Sequence, residues 1–126
     1  MRSWNEANEV VRVLIGELSR RTGVSRRMLR YYEKQGLLVA VRGSNGYRAY
    51  HEGSVTTVRQ VRALLAAGLS TEVIRTVLPC ARGERPGFDW CADLRDVLDR
   101  ELAATDERID ALRRGRDTLA GFLSEA

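Results

Sequence analysis

Histidine, cysteine and lysine are nearly missing from this chain, whose 126 residues hold one His, two Cys and one Lys. One imidazole and two thiols fall short of the four protein ligands that structural zinc takes, which excludes a zinc-built domain and a thiol-rich metal store. His51 therefore reads as a surface or capping residue. The chain also lacks a nucleophile paired with a base, a phosphate-binding glycine loop and metalloprotease spacing, so it is not expected to be an enzyme. Neighbouring acids such as Asp106 and Glu107 read as a solvated helix face. Apolar runs stay far below the ~20 residues a membrane span needs. The first residues lack the apolar centre of a secretory signal. The expectation is a cytoplasmic protein with no membrane partner, and in that compartment two cysteines are reduced thiols rather than a disulfide staple.

What the chain does have is charge, unevenly placed. Residues 1–78 hold 13 Lys+Arg and 6 Asp+Glu, whereas residues 79–126 hold 8 and 11, so the first part carries +7 and the second −3 of the overall +4. A basic first part and an acidic second part point to a polyanionic partner for the first alone. Arginine supplies 20 of the 21 basic residues. GC-rich codon usage accounts for that bias as composition, but placement still matters, because Arg makes bidentate contacts with guanine and phosphate. At this length one small domain and an appendage fit, and two full domains do not.

The chain is organised around residues 15–50. Two short helical segments are joined by Thr22-Gly23-Val24-Ser25, where Gly23 accepts a positive φ and Ser25 caps the helix that follows. This is a helix-turn-helix pattern. At 100° per residue, Met28, Leu29 and Tyr32 cluster on one side of the second helix, with Arg27, Arg30, Tyr31 and Lys34 opposite and Arg26 at the edge. Glu33 is its single acid. A solvated charged face is the ordinary explanation of scattered cations, but a face of one sign with an aromatic ring fits a major groove. Two alternating runs then follow, residues 38–42 and 47–50, separated by Gly43-Ser44-Asn45-Gly46. Asn-Gly at that place predicts a hairpin, here carrying Arg42, Tyr47 and Arg48 beside the basic helix, as a wing that grips phosphates. The candidate DNA contacts are thus Ser25, Arg26, Arg27, Arg30, Tyr31, Tyr32 and Lys34 on the helix, and Arg42, Tyr47 and Arg48 on the wing.

Five segments, Ile15-Gly16-Glu17-Leu18, Thr22-Gly23-Val24-Ser25, Leu29-Arg30-Tyr31-Tyr32-Glu33, Gly36-Leu37-Leu38 and Gly46-Tyr47-Arg48-Ala49-Tyr50, resemble in order and spacing the signature of MerR-type transcription regulators. Ala40 stands where that family usually carries a proline. The resemblance implies that the helix pair after the wing completes the DNA-binding domain, with Arg59 and Arg62 as further backbone contacts. It also implies dimers that sit between promoter elements set too far apart and, when switched, bend and untwist the DNA so that RNA polymerase engages both. The polymerase is then an indirect partner, through the DNA.

Residues 1–12 read as a flexible tail, with Val10, Val11, Val13 and Leu14 leading into a short extended segment beside the first helix. Residues 13–79 form the winged head, in which residues 52–67 read as an amphipathic helix ended by Gly68. Ser70 or Thr71 opens another helix and Pro79 stops it. Residues 80–91 read as a linker loop holding both cysteines, and residues 92–126 as a dimerisation helix, continuous over residues 92–123 for about 45 Å. Leu98, Leu102, Thr105, Ile109, Leu112, Arg116, Leu119 and Leu123 alternate spacings of 4 and 3 along it. The six apolar members form a seam too long for so small a head to cover, which favours a two-chain coiled coil over a helix folded back on its own head. The direction of that pair is antiparallel by the resemblance alone.

Three readings of Cys80 and Cys91 stand: small buried hydrophobes, a thiol redox pair, or ligands for a soft metal ion such as Cu(I). No cofactor is needed for folding. Phe88 and Trp90 in the same loop could also line a pocket for an organic ligand. The sequence as a whole reads as a mainly α, winged helix-turn-helix regulator that dimerises through a long coiled-coil helix and distorts promoter DNA on a signal. The rival is an architectural winged head, resembling a phage excisionase, that bends DNA and senses nothing.

Overall fold

The computed structural model describes residues 12–42, 48–83 and 87–126, with the side chain of Arg42 aside. The chain divides into two compact units, residues 1–89 and 90–126. In the first, β1 (Arg12–Leu14) runs into α1 (Ile15–Thr22), and after a short turn α2 (Arg26–Lys34) follows. Next come β2 (Val41–Arg42), β3 (Arg48–His51), α3 (Ser54–Ala66) and α4 (Thr71–Val77). A 3₁₀ turn (Leu78–Cys80) and a small hairpin, β4 (Ala81–Arg82) with β5 (Gly87–Phe88), complete the unit.

The turn between α1 and α2 is built as its residues dictate. Gly23 has φ 75°, a left-handed conformation that costs a side chain but not glycine, and its N–H donates to Ser19 O at 2.8 Å. Ser25 caps α2, its Oγ accepting from Met28 N at 3.1 Å. Arg62 Nη1 donates to Thr22 O at 3.0 Å and Arg59 Nη2 to Arg21 O at 3.1 Å, so two cations from α3 satisfy carbonyls at the negative end of α1. Arg21 also pairs with Glu52 at 2.5 Å, which holds the Glu52 carboxyl below its ordinary range. Both arginines of α3, expected as DNA-backbone contacts, thus make hydrogen bonds within the head, with Arg59 half-buried and Arg62 exposed.

The core lies between these helices and the sheet. Leu18 of α1, Leu29 and Tyr32 of α2, Tyr50 of β3, Val58 and Val61 of α3, and Ile74 and Val77 of α4 are all buried. Fully burying each aliphatic chain is worth about 1.5–3 kcal/mol. Ser70, rather than Thr71, caps α4, with Oγ accepting from Val73 N at 3.2 Å, and Pro79 falls in the 3₁₀ turn after it.

The structure adds to two local expectations and corrects a third. The extended segment before α1 is a strand that pairs with the wing, because the order β1-β3-β2 sets Arg12 against His51 and Val13 against Tyr50. The wing strands β2 and β3 therefore belong to a three-stranded antiparallel sheet in which β3 is central, with Val41 against Ala49 and Arg42 against Arg48. Its turn, Gly43-Ser44-Asn45-Gly46, and Tyr47 lie outside the described residues, as does the tail before Arg12. The stretch expected as a loop contains the β4–β5 hairpin, where Arg82 pairs with Asp89 and the buried Gln60 of α3 donates to Gly83 O at 2.9 Å. An amide without a partner there would cost about 1–3 kcal/mol, so this bond holds the hairpin to α3.

The second unit is essentially one helix, α5 (Ala92–Ser124), of 33 residues. No helix among the described residues is long and apolar enough to cross a membrane.

Candidate nucleic-acid interface

Nearly all the candidate contacts on α2 come to one surface. Ser25, Arg26, Arg27, Arg30, Tyr31 and Lys34 are exposed. Tyr32 is not, at 3% exposure, so this proposed contact is corrected to a core residue; burial pushes its hydroxyl proton affinity up. Met28 moves the other way. Expected on the core side, it is 44% exposed, because Leu29 and Tyr32, one turn apart, already fill the inward face.

Glu33, the single acid of α2, is turned away from that surface. Its Oε1 accepts from Tyr50 Oη at 2.9 Å, and its Oε2 lies 3.6 Å from Arg48 Nη2. Burial and this carboxylate push the Tyr50 hydroxyl up to about 12. One carboxylate thus joins α2 to the wing strand β3 through a buried hydroxyl and a guanidinium. Arg48, expected as a phosphate anchor, is half-buried and serves this joint as well. Arg42 stands opposite it in the register.

Between the start of α1, α2 and β3 lies a cavity of about 680 Å³ lined by Arg12, Arg20, Arg26, Arg30, Arg48 and Glu17, among others. The carboxylate of Glu17 is 2.6 Å from Arg20, and the buried Arg12 Nε has no hydrogen-bond partner among the described residues. Five guanidiniums around one acid make a seat for an anion with several oxygens, which a phosphodiester is. Gly16 gives Arg26 its place there, since a Cβ at this position would lie 2.7 Å from Arg26 Nη2. Gly16→Ala is accordingly expected to keep the melting temperature or raise it slightly, alanine being the better helix former by roughly 0.5–1 kcal/mol. DNA affinity, read by fluorescence anisotropy, should fall about tenfold through one lost charge-assisted contact. Unchanged affinity would remove Arg26 from the site.

The residues that the sequence did not single out are therefore Gly16, Arg12 and Arg20 at the cavity, and Glu33 with Tyr50 at the joint. The Gly-Glu pair at the start of α1 and the lone acid of α2 were the available signals. The cysteines fall in different units: Cys80, half-buried, ends the 3₁₀ turn of the first, and Cys91, exposed, precedes α5 in the second. Among the described residues no group of three or more His, Cys, Asp or Glu is placed to hold a metal.

A helix-turn-helix with a basic second helix, joined to a small antiparallel sheet and followed by a helix pair, defines a winged-helix DNA-binding head. Comparison with known proteins narrows the class. The family model described as MerR HTH family regulatory protein matches residues 14–80, and that described as MerR, DNA binding matches residues 55–122. The chain belongs to the MerR family of transcriptional regulators. It is similar to the HTH-type transcriptional regulator HmrR of Rhizobium leguminosarum bv. viciae, 35% identical over 105 residues that span 83% of this chain and 79% of that protein. Heavy metal-dependent transcription regulator 2 of Rhizobium meliloti (strain 1021) is 35% identical over 106 residues, spanning 83% and 70%. A solved MerR family transcriptional regulator from Bacillus cereus superposes with TM-score 0.57 and 27% identity, covering 85% of this chain and 78% of that one.

Proposed function

We propose that this regulator acts as a homodimer that binds a palindromic promoter site and distorts it in response to a signal, so that RNA polymerase is influenced through the DNA. The observation that carries the reading is the exposed face of α2, where Arg26, Arg27, Arg30, Lys34 and Tyr31 stand together while the only acid of the helix is engaged behind them. Two-fold symmetry would present two such faces to the two halves of a site. Bending and untwisting the duplex costs on the order of several kcal/mol, which the arginines around the cavity would offset through phosphate contacts.

A salt titration tests it. For a selected operator, log K should fall linearly with log salt, and Arg30→Ala should reduce that slope by about one per bound copy while weakening every sequence alike. An unchanged slope with unchanged affinity would count against this face as the DNA surface. The signal, in the same proposal, acts at the thiols, of which Cys91 is the accessible one; it fits thiol oxidation or a soft metal ion, and the name of the R. meliloti relative favours the metal. Native mass spectra before and after mild oxidant or Cu(I) separate the two: a loss of hydrogens, or a gain of one metal. Indifference to both would make the cysteines structural.

A further inference from the structure

The recognition face is not uniformly cationic. Met28, in the first turn of α2, and Tyr31, one turn further on, are 44% and 45% exposed. With Ser25 and Arg27 they line a small cavity of about 230 Å³. An exposed methionine beside three arginines is not filling the core, since Leu29 and Tyr32 do that. It leaves apolar surface wet on the end of the helix that, in helix-turn-helix proteins, meets base edges.

We propose that this notch takes the C5-methyl group of a thymine in the major groove, making Met28 and the Tyr31 ring a specificity element of this regulator. The inference rests on α2 being the DNA-reading helix. In the major groove the thymine methyl is the apolar feature that distinguishes T from C at the same position, and it is read by apolar contact rather than by hydrogen bonds. Arg27, on the rim, is placed for the phosphate or guanine that flanks such a step. An unbranched, polarisable thioether side chain adapts to a methyl without demanding one geometry. The other occupant, a second copy of this chain, would have to cover a face that carries four exposed cations, which like-charge repulsion opposes.

The experiment uses the full chain. An operator is selected from random duplexes, and each of its thymines is then replaced singly by deoxyuridine, which removes the methyl and nothing else. The wild type should lose about fourfold in affinity at one thymine per half-site, the value for a single buried carbon. Met28→Ala should bind the parent operator about fourfold more weakly and show no further loss on deoxyuridine substitution at that position. Its fold can be checked by circular dichroism, and exposure of Met28 predicts no change. Wild-type indifference to deoxyuridine at every thymine would overturn the proposal, as would equal deoxyuridine sensitivity in Met28→Ala. A shift from dimer to monomer on Met28→Ala would also overturn it, by assigning the notch to a second copy. Failure of α2 itself as the DNA-reading helix would appear separately, as wild-type affinity and salt slope in Arg27→Ala and Arg30→Ala.

Discussion

Glu33→Ala should destabilise the head by about 1–3 kcal/mol, the cost of leaving a buried hydroxyl without its acceptor. For a domain of this size that lowers the melting temperature by roughly 5–15 °C. The Glu33 carboxylate accepts from Tyr50 and faces Arg48, so its removal strands one buried donor and frees a guanidinium. Tyr50→Phe, which removes donor and proton together, should cost less, about 1 kcal/mol, because Glu33 keeps some access to water. The pair also has a pH signature. The folded chain retains the Tyr50 proton up to about 12, whereas the ordinary tyrosine value is 10.0. The raised folded value means that the stabilisation is complete below pH 10 and is lost as pH climbs to about 12, because the unfolded chain gives up the proton first. On the order of 2 kcal/mol is involved. Urea midpoints measured between pH 9 and pH 12 should therefore fall more gently for Tyr50→Phe than for the wild type. Some slope persists, since burial raises Tyr32 in the same direction. Identical alkaline slopes in the two proteins would show that the joint between α2 and β3 is not as described.

That joint also bears on DNA binding. Because Glu33 ties β3 to α2, the wing strand and the helix proposed to read DNA keep a fixed relation, and the proposed distortion of the site needs such rigidity to hold a bent duplex. Glu33→Ala should weaken operator binding even at temperatures where the head stays folded.

The helices of this head were legible because each is announced locally. Gly23, Ser25 and Ser70 mark termini by their own chemistry, and the 3.6-residue periods of α2 and α3 separate core from surface. The cationic residues of α2 came out on one face for the same reason. Pairings that depend on distant partners were not legible. Arg12–Leu14 was legible as an extended segment, but its place in the sheet depends on β3 being there to pair with it. The β4–β5 hairpin, two residues a side, sits in a glycine- and charge-rich stretch and is held by Gln60, more than 20 positions away. Helical-wheel reasoning misplaced Met28 because a nine-residue helix has room for only two large inward side chains, and adjacency to Leu29 at 100° leaves either side open. Glu33 was visible only as an acid among bases; its hydroxyl partner comes from residue 50, through the sheet.

For the homodimer proposed above, Leu112→Glu should strongly weaken self-association and, with it, tight operator binding. The seam of α5 is wet in a single chain: Leu102 is 61% exposed, Leu112 75%, Leu119 63% and Leu123 76%. Leucines spaced by alternating 4 and 3 residues over a 33-residue helix would bury that surface against a second helix, at about 1.5–3 kcal/mol for each chain fully covered. A carboxylate at the centre of the seam reverses that gain and adds the cost of desolvating a charge, several kcal/mol in all. Self-association should weaken at least about 100-fold. Because two tethered heads gain about 10²–10⁴ over one, affinity for a full palindrome should drop by a similar factor while affinity for an isolated half-site stays put. Arg114→Glu, off the seam, is the control that separates position from charge and should leave both properties near wild type. Analytical ultracentrifugation and anisotropy on full and half operators give the two readouts. A Leu112→Glu protein that remains a dimer with full operator affinity would show that α5 is not the dimer element, and the exposed leucines would then need another occupant.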